Sequence, residues 1–159
     1  MTKTKKIILA ALLLSILIIL GRFVSIKTPI LVISLSFLPI MICGILLGPK
    51  YSCLIAALAD LIGALLFPFG EYFVGFTIFQ AIVGLVYGLF LYNKKDDEFY
   101  TEKKLIIRLI FSSLIVLGII ELPCMSFMLH LLYGNAFIAV LTGRIITKII
   151  MLPIQVITI

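Results

Sequence analysis

The chain has 159 residues, of which 64% are hydrophobic and only 13% are charged, and its mean hydropathy is +1.34. Water-soluble domains are roughly half apolar and a quarter charged, so this composition excludes a soluble domain and indicates a membrane protein. The net charge of +6 does not indicate nucleic-acid binding, because the basic residues are spread between apolar runs and form no single stripe.

A helix needs roughly 20 residues to cross a bilayer, so the length allows about six spans and leaves no room for a soluble domain. Any ATPase or partner must therefore be another chain. We expect an all-α integral membrane protein, a single membrane domain of residues 1–159 with both termini in the cytoplasm. The predicted spans are residues 7–24, 30–47, 51–67, 72–92, 105–128 and 136–159, with a charged cytoplasmic loop at 93–104.

The first span begins after three lysines, Lys3, Lys5 and Lys6. A basic start before an apolar run of this length also fits a signal peptide. The run ends in GRFVSIK, which offers no small-residue cleavage site, and further spans follow. We therefore interpret it as an uncleaved first span with a cytoplasmic N-terminus.

Turn chemistry separates the spans that follow. Residues 27–29 read Lys-Thr-Pro, residues 48–50 read Gly-Pro-Lys, and residues 68–71 read Pro-Phe-Gly-Glu. Proline lacks the donor that continues a helix, and glycine accepts positive φ, so each segment predicts a turn. Pro123 predicts a kink or break within the fifth span.

The positive-inside rule supports this layout, since most of the basic residues fall on one side, which is then cytoplasmic. The exceptions are Arg22, Lys27, Arg144 and Lys148, which lie outside or in the outer half of the spans.

Small residues four apart let helix backbones approach closely, the usual packing device inside lipid. Gly84 and Gly88 form such a pair in the fourth span and predict packing within the chain. Ala10, Ala11 and Ser15 put a similar face on the first span, where it serves either internal packing or a membrane partner.

The intramembrane charges carry the functional argument. A charge at mid-bilayer costs about 2.5 to 3.5 kcal/mol on insertion scales, so Asp60, Glu121, Arg144 and Lys148 are expected to avoid lipid. Asp60 lies roughly 10 Å below the outer end of its span, and Arg144 and Lys148 lie roughly 12 and 18 Å below theirs. The three residues open on one outward cavity, or Asp60 and Arg144 form an internal ion pair. A surplus of positive charge there favours an anionic ligand.

Five aromatic residues bracket the Pro/Gly turn at the same level. Alone, they fit an interfacial belt equally well; beside Asp60 and two cations they fit a pocket that stacks on a flat ring. They are Phe67, Phe69, Tyr72, Phe73 and Phe76.

Other chemistries are less well supported. Cys43, Cys53 and Cys124 lie in apolar sequence without CxxC spacing, so we expect buried thiols and no metal site. The single histidine, His130, lies in a predicted turn. The sequence therefore lacks the catalytic residues that an intramembrane enzyme would need. A small membrane scaffold protein is the other alternative, and for such a protein we expect no stabilisation by a ligand.

Residues 37–92 contain the segments FLPI (37–40), LLGP (46–49), ALADLIGALLFPFGEYFVGFT (57–77) and GLVYGLFLY (84–92). This stretch resembles the folate-specific substrate-binding subunit, or S component, of energy-coupling factor (ECF) transporters. The likeness extends over nearly the whole chain, and the 57–77 segment is its specific part.

The resemblance implies a six-helix subunit of the bacterial plasma membrane that binds a vitamin near the outer face. It also implies a transmembrane coupling subunit, met through the small face of the first span, and two cytoplasmic ATPases. No GxxxxGK[ST] motif occurs in the sequence, in keeping with a transport subunit that is not itself an enzyme and holds no cofactor. An S component for another vitamin, such as thiamine or pantothenate, is the alternative.

On this resemblance, Asp60 or a neighbouring polar group reads the edge of the pterin, aromatic residues enclose its rings, and cations meet the glutamate carboxylates. The expected substrate-binding residues are Arg22, Asp60, Phe67, Pro68, Gly70, Tyr72, Phe73, Phe76, Thr77, Arg144 and Lys148.

Overall fold

Four apolar helices in the described part of the chain are long enough to cross a membrane. The computed structural model describes residues 2–27, 32–68, 73–92, 102–124, 127–128 and 145. In chain order the elements are helix α1 (Lys3–Arg22), strands β1 (Ile26–Lys27) and β2 (Val32–Ile33), helices α2 (Phe37–Leu47), α3 (Pro49–Leu66), α4 (Val74–Leu91) and α5 (Glu102–Leu114), and a π-helical segment (Ile115–Glu121) that continues α5.

Helix α1 shows why these elements belong in a bilayer. Its 20 residues give a length of about 30 Å, the thickness of a hydrocarbon core. Ile8, Leu12 and Ile19 on its outer side are more than half exposed, whereas Leu13 and Leu17 are buried. Such an exposed apolar surface on a helix of membrane length fits a lipid environment and supports the prediction of a membrane protein.

In the second predicted span, residues 30–47, the described residues form strand β2 and then helix α2, which begins only at Phe37. Helix α2 has 11 residues, which is about 16 Å and half of a bilayer. Before it, β1 and β2 pair antiparallel, with Ile26 opposite Ile33. A two-residue ribbon thus interrupts an otherwise helical architecture at the end of the bundle where α1 finishes, which we call the Arg22 end.

Serine side chains satisfy the backbone around this ribbon. Ser25 Oγ donates to the carbonyl of Gly21 at 2.7 Å, and Ser34 Oγ donates to the carbonyl of Leu20 at 3.3 Å. Both carbonyls belong to the last turn of α1, where no intrahelical donor is available. The backbone N–H of Ser36 donates to Ser34 Oγ at 3.2 Å. Irregular backbone near a membrane needs such partners, because lipid supplies none.

Helices α2 and α3 are joined by Gly48 alone. Its φ of 87° lies in the region that favours glycine, and Pro49 follows as the first residue of α3, where a missing N–H costs nothing. The tight loop predicted at residues 48–50 therefore reverses the chain within one residue.

Helices α3 and α4 form the most extensive contact among the described elements. A Cβ on Gly84 would collide with the carbonyl oxygen of Ser52 and lie 2.9 Å from Ala56 Cβ. A Cβ on Gly88 would collide with Pro49 in the same way. The predicted close packing of Gly84 and Gly88 within the chain is confirmed.

Buried polar groups in the core also have partners. Ser52 Oγ donates to the carbonyl of Ile40 at 3.1 Å, and Ser112 Oγ donates to the carbonyl of Leu109 at 3.0 Å. The Tyr87 side chain is hydrogen-bonded to Ser113. The bonds of Ser52 and Tyr87 link α2 to α3 and α4 to α5, and the bond of Ser112 lies within α5. In each case an unpaired polar group would be costly.

The π-helical segment accounts for the break predicted near Pro123. The N–H of Leu122 donates to the carbonyl of Leu117, five residues back instead of four. Proline has no N–H and its ring clashes with the carbonyl four residues earlier in a regular α-helix. A widened turn just before Pro123 relieves that clash while the helix continues to Cys124.

We expect Gly84→Ala to destabilise the protein by about 1–3 kcal/mol, because the added methyl overpacks the α3–α4 contact. Gly118→Ala is the matched control, since a Cβ there meets nothing within 4 Å. Thermal unfolding in detergent should show a lower Tm for the first variant and an unchanged or higher Tm for the second. Equal effects would contradict the role of this contact.

Candidate functional site

Arg22, the last residue of α1, reaches across to α3. Its Nη2 donates to the carbonyl of Asp60 and its Nη1 donates to the carbonyl of Phe67, each at 3.4 Å. Nη2 also lies 3.8 Å from Asp60 Oδ1. The guanidinium therefore bridges one turn deep in α3 and the residue just after its end, which ties α1 to α3 at the Arg22 end.

Asp60 is held from a second side by α4. Thr77 Oγ1 donates to Asp60 Oδ2 at 2.8 Å, so each carboxylate oxygen faces a different helix. The side chains of Arg22 and Asp60 are 17% and 18% exposed, which means that the pair is shielded but can be reached. We call these three residues the Arg22–Asp60–Thr77 cluster.

Gly63 makes the crossing of Arg22 possible. It lies almost one turn after Asp60 on α3, and a Cβ there would be 2.5 Å from Arg22 Nε. Any larger residue would displace the guanidinium from Asp60. The small-residue spacing of α3 thus serves the placement of a charged side chain as well as helix packing.

Two aromatic pairs lie at the ends of the helices that carry the cluster. Phe67 contacts Phe23 edge to face, with 5.0 Å between ring centroids, and Phe73 contacts Phe76 in the same manner at 6.0 Å. Phe23 and Phe67 are 64% and 43% exposed. Rings with open faces beside a carboxylate and a guanidinium suit a flat ligand that carries both donors and negative charge.

The structure brings together several of the residues predicted for the site. Arg22, Asp60 and Thr77 form the cluster, Phe67 accepts a hydrogen bond from Arg22, and Pro68 follows Phe67 as an exposed residue. Phe73 and Phe76 lie at the start of α4, both partly exposed. Gly70, Tyr72, Arg144 and Lys148 lie outside the described residues, and so do His130 and the alternative pairing of Asp60 with Arg144.

Two features of the site were missed in the sequence. The first is the pairing of Asp60 with Arg22, which join segments that are 38 residues apart. The second is Phe23, whose position directly after Arg22 was the available signal. Among the described residues no group of three or more metal-ligating side chains was found.

The small face of α1 divides into two parts. Ala11 and Ser15 are exposed, and Ser15 Oγ donates to the carbonyl of Ala11 at 3.0 Å, which hides its hydroxyl from lipid. Ala10 and Leu14 pack against the core. Within the predicted small face, Ala11 and Ser15 therefore lie on the outside of the bundle, whereas Ala10 is partly buried.

Known proteins resemble this chain over almost its full length. It is 31% identical to "Folate transporter FolT" of Clostridium novyi (strain NT), covering 100% of this chain and 88% of that protein. It is 34% identical to "Folate transporter FolT" of Leuconostoc mesenteroides, covering 96% and 81%. The solved structure described as "Crystal structure of FolT bound with folic acid" superposes with a TM-score of 0.85 at 34% identity, covering 98% of this chain and 90% of that one.

The family described as "ECF transporter, substrate-specific component" matches residues 5–159, which is nearly the entire sequence. Together with the apolar helices and the partly open cluster at the Arg22 end, this match confirms the resemblance seen in the sequence. The chain belongs to the family of substrate-specific components of ECF transporters.

Proposed function

We propose that this chain is the folate-binding subunit of an ECF-type importer, which captures folate at the outer face of the bacterial plasma membrane. The observation that carries the proposal is the likeness, at a TM-score of 0.85, to a FolT structure bound with folic acid. The exposed rings and the partly accessible Arg22–Asp60–Thr77 cluster are the matching chemistry in this chain.

Folate offers partners for both charges of the cluster. The pterin edge is rich in N–H donors, which suit the Asp60 carboxylate, and the glutamate tail carries two carboxylates, which suit a guanidinium. Phe67, Phe73 and Phe76 enclose the flat rings, together with Tyr72. In this proposal Arg22 meets a carboxylate of the tail, with Arg144 or Lys148 as further cations, and Pro68 and Gly70 belong to the loop that covers the pocket.

The orientation follows from the charges of the chain. The lysines at the start of α1 and Lys50 at the start of α3 lie at the end of the bundle opposite Arg22. The positive-inside rule places that end in the cytoplasm, so the Arg22 end faces outward. Six spans with both termini in the cytoplasm complete the proposed topology.

Transport itself requires other chains. We assign ATP hydrolysis to two cytoplasmic ATPases and the coupling to a transmembrane subunit, with no cofactor in this chain. Ala11 and Ser15 are the proposed contact with the coupling subunit, because a small exposed face lets two helix backbones approach closely. Ala10 contributes from the side as a partly buried neighbour.

Folate should stabilise the purified protein. A ligand at 100 times its Kd adds about 2.7 kcal/mol to the free energy of unfolding, which raises Tm by several degrees in a protein of this size. A thermal-shift measurement in detergent should show this rise with folate and none with thiamine or pantothenate. Stabilisation by thiamine or pantothenate alone would identify an S component for that vitamin, and no stabilisation by any would favour a scaffold.

Asp60→Asn and Arg22→Ala should each weaken folate binding by about 10- to 100-fold, since each removes a charge-assisted hydrogen bond worth roughly 1.5–3 kcal/mol. Titration of folate by fluorescence quenching measures this. Leu65→Ala is the control, because Leu65 lies on the same helix as Asp60 and is 68% exposed. Unchanged affinity in both charge variants would exclude the cluster from the site.

Ala11→Leu should separate binding from transport. The larger side chain blocks close approach of another helix but lies far along α1 from Arg22, so folate affinity should stay at the wild-type value. Co-purification with the coupling subunit and uptake in vesicles should both fall. Leu12→Ile, an exposed position beside it, should change neither. Normal assembly of Ala11→Leu would place the coupling contact elsewhere.

A further inference from the structure

One face of α4 is buried along half of its length and partly exposed along the other half. Phe76, Gln80, Val83 and Tyr87 follow the spacing of a single helix face, opposite the lipid-facing side chains such as Ile78. Val83 and Tyr87 are 6% and 1% exposed. Phe76 and Gln80 point to the same interior side yet are partly exposed. The interior therefore opens between Val83 and Gln80.

The α3–α4 contact explains why the opening begins there. Gly84 is pressed against Ser52 and Ala56, which leaves no space between the two helices at that level. The helices run antiparallel, since Gly88 meets Pro49 near one end and Thr77 meets Asp60 near the other. One turn from the contact toward the Arg22 end, α3 therefore presents Asp60 and α4 presents Gln80.

Gln80 differs from the other polar groups in this part of the bundle. Asp60 is bonded to Thr77 and Arg22, whereas within the described part of the chain no hydrogen bond to the Gln80 side chain is found. A primary amide has two donor hydrogens and an acceptor oxygen, and leaving them unpaired inside a membrane protein is costly. An amide kept at such a position is explained if a ligand supplies its partners.

Building on the folate-binding function proposed above, we propose that Gln80 lies at the floor of the pocket and forms hydrogen bonds with the pterin ring. The pterin ring carries a carbonyl oxygen next to an N–H. The Asp60 carboxylate can only accept hydrogen bonds, and Thr77 Oγ1 already donates its hydrogen to that carboxylate. Gln80 supplies the missing donor for the carbonyl and an acceptor for the N–H beside it, as amides do when they bind paired donor and acceptor edges of bases.

With this role, a substitution at Gln80 should lower the affinity for folate without lowering the stability of the unliganded protein. Gln80→Met keeps the length of the side chain but removes its donors and acceptor. Because no residue in the described part of the chain hydrogen-bonds the amide, the Tm without ligand should be unchanged or higher. Folate affinity should fall by about 10- to 100-fold, because the ring carbonyl and N–H are left unpaired in the pocket. Ile82→Met, on the lipid-facing side of α4, should change neither quantity.

One further ligand and one further variant make the experiment more specific. Pteroic acid keeps the ring but lacks the glutamate, so Gln80→Met should weaken folate and pteroic acid by the same factor. Gln80→Glu, which has no donor and carries negative charge, should weaken both at least as much. Affinities are measured by titration in detergent and stabilities by thermal unfolding of the same samples.

Several outcomes would overturn the assignment of Gln80. Wild-type affinity in Gln80→Met is one, a loss seen with folate but not with pteroic acid is another, and a lower Tm without ligand would indicate a structural role. Each leaves folate binding by the wild-type protein intact. Failure of wild-type protein to bind folate would instead remove the proposed function and the role of Gln80 with it.

Discussion

The charge of Asp60 inside an apolar helix is the constraint on which the Arg22 end depends. An ionised carboxylate at this depth is stable only if its oxygens are paired, because lipid offers no donor. Arg22 from α1 and Thr77 from α4 supply those partners on opposite sides of α3. A single carboxylate thus fixes three helices relative to one another, and Gly63 must stay small so that the guanidinium can reach it.

The depth of the pocket is set by a second, apolar constraint. Helices α3 and α4 touch backbone to backbone at Gly84, and below that level the interior is filled by Val83, Tyr87 and Leu91. Toward the Arg22 end the two helices meet through side chains, with Thr77 Oγ1 donating to Asp60 Oδ2, and Gln80 is partly exposed. Close packing of small residues in one half of the bundle therefore defines where the open half begins.

Part of this architecture was predictable because its causes are local. Apolar runs of membrane length gave the long helices, and the four-residue spacing of Gly84 and Gly88 gave the tight contact. The insertion cost of a charge indicated that Asp60 avoids lipid. The pairing with Arg22 was not predictable, since Arg144 and Lys148 were the cations expected near the depth of Asp60 and Arg22 belongs to a distant segment of the chain.

Other features were missed because hydropathy does not record backbone conformation. The apolar run from residue 30 predicted a continuous span, yet Val32 and Ile33 lie in a strand and the helix begins at Phe37. Pro39 was the available signal, since proline is tolerated in the first turn of a helix and would break one that started at 30. No sequence pattern singled out Gln80, whose partial exposure on an interior helix face is visible only in the fold.

The pairing of Arg22 with Asp60 has a consequence for ligand selection. Removing one partner from a buried ion pair costs about 3–5 kcal/mol, while a largely exposed pair is worth about 1 kcal/mol or less, and this pair lies between those cases. A ligand with donors alone would satisfy Asp60 and leave Arg22 without its carboxylate, and a simple anion would do the reverse. A ligand that carries both a donor-rich ring and a carboxylate provides Asp60 and Arg22 with new partners at the same time. In the proposed folate site, the unliganded ion pair therefore favours ligands that combine these two groups over ligands that carry only one.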